Sequence, residues 1–412
     1  MSRINNFVRS LSPRTTEYSN ELDTTHSFYH PANFLLIMSF CMALVFSTWQ
    51  VLLNNFVIEQ AAFTGKEIGI LQSLREVPGF LAFTAIYILL FIKEQRFATL
   101  SLLVTCIGVA LTGFYPSVIG LYVTTVIMSI GFHYYETLNQ SLTLQWLAKD
   151  KTAEFMGRAL SVKAVGALCA YGVIWALMEY FQWPYAHAYA LIGGLGAIIV
   201  VLLWWSFPQF KAVSVQTKKL IIKKQYSLYY ALVFFSGARR QIFVVFAGFL
   251  MVEKFGYSVG QISALFMINY VFNLFFAPKI GRWISKVGER NALVFEYIGL
   301  ISVFVAYALV ENQYIAGVLY VVDHMFFALA IAMKTYFQKI AQPEDIAATA
   351  SVSFTINHIA AVFIPALLGL LWLHSPSTVF MIGAGFACCS LLLASLLPVT
   401  PKPGVETRFG KL

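Results

Sequence analysis

The sequence contains twelve long apolar stretches, each close to the length of about 20 residues that a membrane-spanning helix requires. Hydrophobic residues make up 59% of the 412 residues and charged residues only 11%, whereas soluble chains carry about 25% charged residues. Continuous apolar runs such as 197–205 do not alternate as the strands of a β-barrel do. The pattern therefore predicts an all-α membrane protein with spans at 33–57, 68–92, 97–114, 118–147, 155–180, 186–207, 227–252, 260–284, 291–310, 315–338, 348–373 and 377–398.

The basic residues outside these spans fall on alternate connections. The opposite connections, such as 115–117 and 182–184, are short and nearly uncharged. Because cytoplasmic loops collect Lys and Arg, we expect a multi-pass protein with both termini in the cytoplasm. The same rule accounts for the net charge of +9, so we expect a lipid bilayer and no nucleic acid as partner. Short loops, and a single glycosylation-type triplet at 139–141 inside a span, favour a bacterial inner (plasma) membrane.

The longest internal connection is basic and lies midway along the chain. It divides the spans into two sets of six, an architecture of secondary transporters in which the substrate site lies between the halves near the bilayer midplane. The predicted parts are a cytoplasmic tail 1–30, a first bundle 31–207, a central loop 208–226, a second bundle 227–398 and a cytoplasmic tail 399–412.

With these spans, the loop from Gly281 to Arg290 resembles the signature loop of the major facilitator superfamily, in which a Gly, three residues, an Asp, a basic residue and a second Gly precede further basic residues. The matching positions are Gly281, Lys286, Gly288 and Arg290. Ser285 stands where the family usually has Asp, and Glu289 where a basic residue is common. The resemblance implies twelve helices in two pseudo-symmetric six-helix bundles, transport by alternating access, and a gating role for the matching residues.

An ionisable side chain inside a membrane span is costly unless it faces protein or water, so each one is a candidate for function. Arg239 and Arg240 lie near the middle of the seventh span, where a guanidinium suits an anionic substrate group. The alternative is that one or both pair with Asp323 or Glu136. Lys163 in the fifth span is a further candidate for binding an anion.

Carboxylates and histidines inside the spans are candidates for proton coupling, because burial in a low dielectric favours a bound proton on a carboxylate. These candidates are Glu136, Asp323, His133, His324 and His358. For Glu136 the alternative is an internal salt bridge, and Asp323 can also pair with Arg239 or Arg240. Arg75 and Glu76 precede Pro78-Gly79, where a broken helix would expose backbone to a cavity, and they are assigned to gating. The alternatives are a salt bridge between helices and a position near the outer vestibule.

Uncharged polar side chains inside the spans either contact a solute or join helices by hydrogen bonds. The candidates for substrate contact are Gln50, Asn54, Tyr134, Asn269, Asn273 and Asn357.

No Gly-rich phosphate loop followed by Lys-Ser or Lys-Thr occurs, which excludes an ATP-driven pump. No metal-ligand spacing or nucleophile–base constellation stands out, so we expect neither an enzyme nor a cofactor. The sequence favours a monomeric secondary transporter, proton-coupled, for a small anionic or zwitterionic organic solute. The alternatives are a drug or metabolite efflux transporter, or a non-transporting membrane sensor on the same fold.

Overall fold

A computed structural model of the protein consists almost entirely of helices. The residues that it describes are 28–147, 149–210, 222–342 and 345–410. Most of the predicted tail 1–30 and of the central loop 208–226 lies outside the described residues. The helices are α1 (Pro31–Ala61), α2 (Gly65–Phe80), α3 (Ala85–Ile88), α4 (Glu94–Thr112), α5 (Val118–Trp146), α6 (Lys149–Trp175), α7 (Tyr185–Ser206), α8 (Ser227–Ile242), α9 (Gly248–Glu253), α10 (Val259–Val287), α11 (Glu289–Leu309), α12 (Gln313–Phe327), α13 (Ile331–Ile340), α14 (Ile346–Trp372) and α15 (Pro376–Ser395).

Eleven helical segments of the described chain are long and apolar enough to cross a membrane, which confirms the all-α membrane fold. The second predicted span, 68–92, has no counterpart among these eleven segments. There α2 ends at Phe80, two residues after Pro78, and a short 3₁₀ turn leads into α3. Proline removes a backbone donor and clashes with the preceding turn, so the interruption follows from the sequence Pro78-Gly79.

Three of the longer spans also change their helical pitch. A π-helical turn at Phe243–Ala247 joins α8 to α9, and another at Ala176–Tyr180 follows α6. A 3₁₀ turn at Ala328–Ala330 joins α12 to α13. Such turns inside a helix often occur at functional sites, and the turn after α8 begins three residues beyond Arg240.

The helices group into two compact units by their contacts. Within the described residues, the first unit contains 28–52 and 81–210, and the second contains 53–80 and 222–410. The boundary thus falls inside α1, and α2 groups with the second unit. The predicted bundles 31–207 and 227–398 divide the chain by sequence position and stay a prediction.

Small residues allow close helix packing inside the first unit. A Cβ atom on Gly108 of α4 would lie 2.5 Å from the backbone nitrogen of Met128 on α5, and one on Gly193 of α7 would lie 2.6 Å from the nitrogen of Ala110. Both positions therefore require glycine, as is common where membrane helices approach through small residues.

In the second unit, α2 packs against α14 through glycines. A Cβ atom on Gly69 would lie 2.3 Å from the carbonyl oxygen of Pro365. The hydroxyl of Ser73 accepts a hydrogen bond from the amide of Ala366 at 3.0 Å. At the end of α14, the indole of Trp372 donates to Glu253 at 2.8 Å. The contacts of Gly69 and Ser73 fix the position of α2, which carries Arg75 and Glu76.

Asp345 holds together two connections of the second unit. The ammonium of Lys223 lies 2.6 Å from one carboxylate oxygen of Asp345, and the hydroxyl of Tyr226 donates to the other at 2.6 Å. Asp345 is 5% exposed, and its burial opposes its charge. The hydrogen bonds from Lys223 and Tyr226 outweigh that burial and hold the pKa of Asp345 below its ordinary value of 3.8.

Residues 399–410, part of the predicted C-terminal tail, pack against the second unit. The hydroxyl of Tyr336 on α13 donates to the backbone carbonyl of Glu406, and the amide of Arg408 donates to the carbonyl of Leu396 at 2.7 Å. Tyr336 is fully buried by this contact. The segment therefore contacts both α13 and the residue that follows α15.

Candidate functional site

A buried ion pair lies in the second unit. Arg239 of α8 and Glu296 of α11 are each 1% exposed, and their closest side-chain atoms are 3.3 Å apart. The guanidinium also lies 5.9 Å from the ring centre of Tyr297. Glu296 is a functional candidate that sequence reasoning misses, although its position inside the predicted span 291–310 was a sufficient signal.

Asp323 of α12 adds a second carboxylate to this region. Its side chain is fully buried, and both of its carboxylate oxygens lack a hydrogen-bond partner among the described residues. Arg239 and Glu296 are both within electrostatic range of Asp323. Arg239 thus has Glu296 as its ion-pair partner, and the predicted pairing of Asp323 with an arginine is not formed.

The three side chains form an unbalanced charge cluster, which we call the Arg239 cluster (Arg239, Glu296 and Asp323). With all three ionised, its net charge is negative by one. A buried charge without a partner is strongly disfavoured, and a buried carboxylate escapes the cost by binding a proton. The cluster therefore has the composition of a site that takes up one positive charge.

Arg240 points in a different direction from Arg239, because successive residues of a helix are turned by about 100°. Arg240 has an exposed surface, but surrounding protein atoms also remove part of its hydration, and Glu76 and Arg75 are within electrostatic range of it. Arg75 and Glu76 are hydrogen-bonded to each other. The two neighbouring arginines thus have separate environments, one buried and one accessible.

His358 of α14 extends the polar region around Glu76. One ring nitrogen lies 3.6 Å from the Glu76 carboxylate, and the other donates to the carbonyl of Phe354 at 2.9 Å. A carbonyl only accepts, so the nitrogen facing Glu76 needs a proton of its own to form an ion pair. Asn357 lies beside this region, and its side-chain oxygen would be 2.6 Å from a Cβ atom on Gly237.

The first unit contains a different kind of ion pair, formed by Lys163 of α6 and Glu136 of α5. Their charged atoms are 2.9 Å apart, and the side chains are 31% and 36% exposed. One turn before Glu136, Phe132 stacks on Phe46 of α1 with ring centres 4.5 Å apart. Both rings are partly exposed, as is Gln50 one turn after Phe46. Charged and aromatic groups therefore share an accessible surface here.

Other predicted residues of the first unit have local partners. The buried ring of His133 contacts the hydroxyl of Ser129 at 3.0 Å. The hydroxyl of Tyr134 is 2.6 Å from that of Thr84. The contact of Tyr134 joins α5 to the 3₁₀ turn before α3, whereas the contact of His133 lies within α5.

The remaining predicted residues of the second unit are dispersed. Asn54 lies close to Gly248, while Asn269 is buried with both side-chain amide atoms lacking a partner among the described residues. Asn273 is partly exposed. His324 packs its ring against Phe243 with centres 5.2 Å apart. None of these positions is brought into a described contact with the Arg239 cluster.

The signature loop reverses one charge of the family pattern. Gly288 joins α10 to α11 with a φ of +84°, a conformation that favours glycine. Glu289 is 3% exposed and lies 2.6 Å from Lys339 of α13. The hydroxyl of Ser285 donates to the carbonyl of Gly281, one turn back. Lys286 is exposed and Arg290 partly exposed. At position 289, where a basic residue is common in the family pattern, this loop therefore has a buried carboxylate.

Comparison with known proteins shows that the chain has the fold of a family of transporters. The sequence profile of the Major Facilitator Superfamily matches residues 35–365 and 229–411. The comparison with curated protein sequences finds no match.

Several solved structures have the same fold at low sequence identity. A structure of the nucleoside transporter NupG has a TM-score of 0.70 at 16% identity and covers 88% of this chain and 97% of that one. A bacterial homolog of the human lysosomal transporter Spinster, inward-facing and occupied, gives 0.67 at 14% identity with 90% and 97% covered. A POT family transporter in complex with 5-aminolevulinic acid gives 0.68 at 13% identity with 88% and 94% covered. The family profile, which matches more than half of the chain, shows that the chain belongs to the Major Facilitator Superfamily.

Proposed function

We propose that the protein is a proton-coupled secondary transporter of a small anionic or zwitterionic organic solute. The observation that carries the proposal is the Arg239 cluster, in which one buried arginine faces two buried carboxylates. A proton bound at Asp323 balances the cluster, and its release leaves an uncompensated charge. Such a group couples proton binding to the conformation of the unit that contains it.

The solute class is supported by the accessible cations. Arg240 is exposed beside the buried Arg239, and a guanidinium binds carboxylate or phosphate in a fork-like geometry. Lys163 is partly exposed in the first unit. The names of the similar structures, a nucleoside transporter and a complex with 5-aminolevulinic acid, agree with a small organic solute.

Transport by alternating access and the placement in the membrane belong to the same proposal. Transporters built from two six-helix halves open a central site to each side in turn. The alternate distribution of Lys and Arg along the sequence supports cytoplasmic termini in an inner (plasma) membrane. We propose that a monomer carries out the cycle.

The proposal is tested with the full-length protein in liposomes loaded with a pH-sensitive dye. Gradients of small organic anions, amino acids and nucleosides are applied in turn, and the internal pH is recorded. We expect at least one solute class to move protons. The variant Asp323→Asn should abolish this proton movement but keep exchange of the same solute across the membrane.

The matched control is Glu311→Gln, which makes the same chemical change at a side chain that is 83% exposed. It should behave as the wild type does. Proton movement in Asp323→Asn at the wild-type rate, or solute transport by the wild type without any proton movement, would refute the coupling. If none of the solute classes crosses the membrane, the transport proposal itself is wrong.

A further inference from the structure

The ion pair of Lys163 and Glu136 is accessible and lies between buried and exposed residues of α5 and α6. On the side of α6 that precedes Lys163, Met156 and Leu160 are 46% and 68% exposed. Helix residues four, seven and eleven positions apart share a face. The residues that follow Lys163 at these spacings are at most 1% exposed and are Ala167, Ala170 and Ile174. Val165 and Trp175, on the other side of α6, are 54% and 47% exposed, as lipid-facing residues are. Lys163 therefore faces away from the lipid side of its helix.

Glu136 has the same kind of position on α5. Three residues in line with it are at most 6% exposed, namely Thr125, Ser129 and Thr143. One turn to either side of Glu136, Phe132 is partly exposed and Gln140 is exposed. The exposed side of α5 carries Ile119 and Val123, which are 75% and 52% exposed. Glu136 therefore also faces away from lipid. An exposed fraction of about a third on such a face means that a small polar molecule can reach the pair from the aqueous side.

An accessible, balanced pair can change partners without changing its net charge. A solute that carries both a carboxylate and an ammonium group can replace each half of the pair, with its carboxylate on Lys163 and its ammonium on Glu136. A solute with a single charge would pair with only one of the two side chains and would lack the second charged hydrogen bond that a zwitterion forms. The buried pair of Arg239 and Glu296 offers no such exchange, because its side chains are at most 2% exposed.

The surface next to the pair is apolar and aromatic. Phe132 is one helical turn from Glu136 and stacks on Phe46, and Trp49 stacks on Phe46 with ring centres 5.9 Å apart. Phe46 and Phe132 are partly exposed, whereas Trp49 is buried behind them. Stacked rings supply a flat contact for a hydrocarbon or aromatic group.

From this arrangement we propose that Lys163 and Glu136 form the recognition site for a small zwitterion with an apolar side group, of the amino-acid type. Lys163 binds its carboxylate, Glu136 its ammonium group, and Phe46 and Phe132 contact its apolar part. This inference rests on the proposed transport function and narrows its solute class from anionic or zwitterionic to zwitterionic.

The test uses two sets of three probes. Within each set the apolar part is the same, and the probes differ in whether they carry the ammonium group, the carboxylate or both. The zwitterions are L-phenylalanine and L-leucine. Their counterparts without the amine are 3-phenylpropionate and 4-methylpentanoate, and those without the carboxylate are 2-phenylethylamine and 3-methylbutylamine. Each is titrated into the purified full-length protein in detergent, and the thermal unfolding midpoint is followed by tryptophan fluorescence. We expect a saturable rise in the midpoint with at least one zwitterion, and no rise with its singly charged counterparts.

Two single variants and one exchange variant locate the site. Lys163→Met and Glu136→Gln should each weaken the apparent affinity for the zwitterion about tenfold or more, because each loses a charged hydrogen bond to it. The exchange variant Lys163→Glu with Glu136→Lys keeps the pair and should retain binding better than either single variant. The control is Lys254→Met, which removes a cation whose ion pair with Glu311 is exposed, and it should bind as the wild type does.

The outcomes separate this inference from the transport proposal. Zwitterion binding without proton movement in liposomes supports the recognition site and refutes proton coupling. If 3-phenylpropionate or 4-methylpentanoate binds as tightly as its zwitterion, the inference is overturned while the transport proposal stands. Absence of any response to both zwitterions, or wild-type affinity in both single variants, also overturns it.

Discussion

The two units each contain an intramembrane ion pair, and the pairs differ in access and in charge balance. In the first unit, Lys163 and Glu136 are about a third exposed and balance each other. In the second unit, Arg239 and Glu296 are almost completely buried, and Asp323 adds an extra carboxylate. The comparison teaches that a charge inside a span is not by itself a sign of one function. An accessible balanced pair suits exchange with a solute, whereas a buried unbalanced cluster suits the uptake of a proton.

The largest effect is expected when the only cation of the Arg239 cluster is removed. Arg239→Met leaves Glu296 and Asp323 buried without a positive partner. We expect a loss of about 3–5 kcal/mol in the free energy of unfolding, measured by denaturant unfolding in detergent near neutral pH. The double variant Arg239→Met with Glu296→Met removes a balanced pair and should recover a large part of the loss. A double variant that is as unstable as the single one would contradict the charge-balance argument.

Replacement of Asp323 should change the free energy of unfolding less than replacement of Arg239, and in the opposite direction if it changes it at all. Asp323→Asn removes the uncompensated carboxylate and keeps the side-chain shape, so stability near neutral pH should stay within about 1 kcal/mol of the wild type or rise. Glu296→Gln, the same chemical change at the partner of Arg239, should cost about 1–3 kcal/mol because it breaks an existing pair. Denaturant unfolding of both variants compares them directly. Equal losses in the two would show that Asp323 has an ionic partner.

Removal of Lys163 should change the stability less than removal of Arg239 does. Ion pairs in contact with water contribute about 0–1 kcal/mol, so Lys163→Met should lower the free energy of unfolding by no more than about 1 kcal/mol. The same measurement on Lys254→Met gives the value for an exposed pair outside the spans. A loss at Lys163 as large as that expected for Arg239 would mean that the pair is structural, and the distinction between the two units would fail.

The helical fold could be predicted from the sequence because apolar length alone determines which segments span a bilayer. The break after Phe80 was also foreseeable, since Pro78-Gly79 stands within the predicted span 68–92. Glu296 is equally visible in the sequence, because it is an ionisable residue inside the predicted span 291–310.

Partner choice could not be predicted in the same way. Whether Arg239 pairs with Asp323 or with Glu296 depends on which helices touch and on how each is rotated about its axis. A sequence with spans known to within a few residues leaves that rotation open, because a shift of one residue turns a side chain by about 100°. The pairing of Lys163 with Glu136 is undetermined for the same reason.

Asp345 offers the smallest expected effect and shows that burial alone does not make a carboxylate a proton acceptor. It is as buried as most of the core, yet Lys223 and Tyr226 outweigh that burial and lower its pKa. A carboxylate whose pKa is lower in the folded state stabilises the protein above its unfolded pKa of about 4, and this contribution disappears as the pH falls through the folded value. The stability difference between the wild type and Asp345→Asn should therefore be constant from neutral pH to about pH 4 and shrink below it, as followed by thermal unfolding over a pH series. Glu311→Gln, at an exposed pair, should show no comparable change. A difference that already disappears near neutral pH would place Asp345 with Asp323 as a proton-binding group.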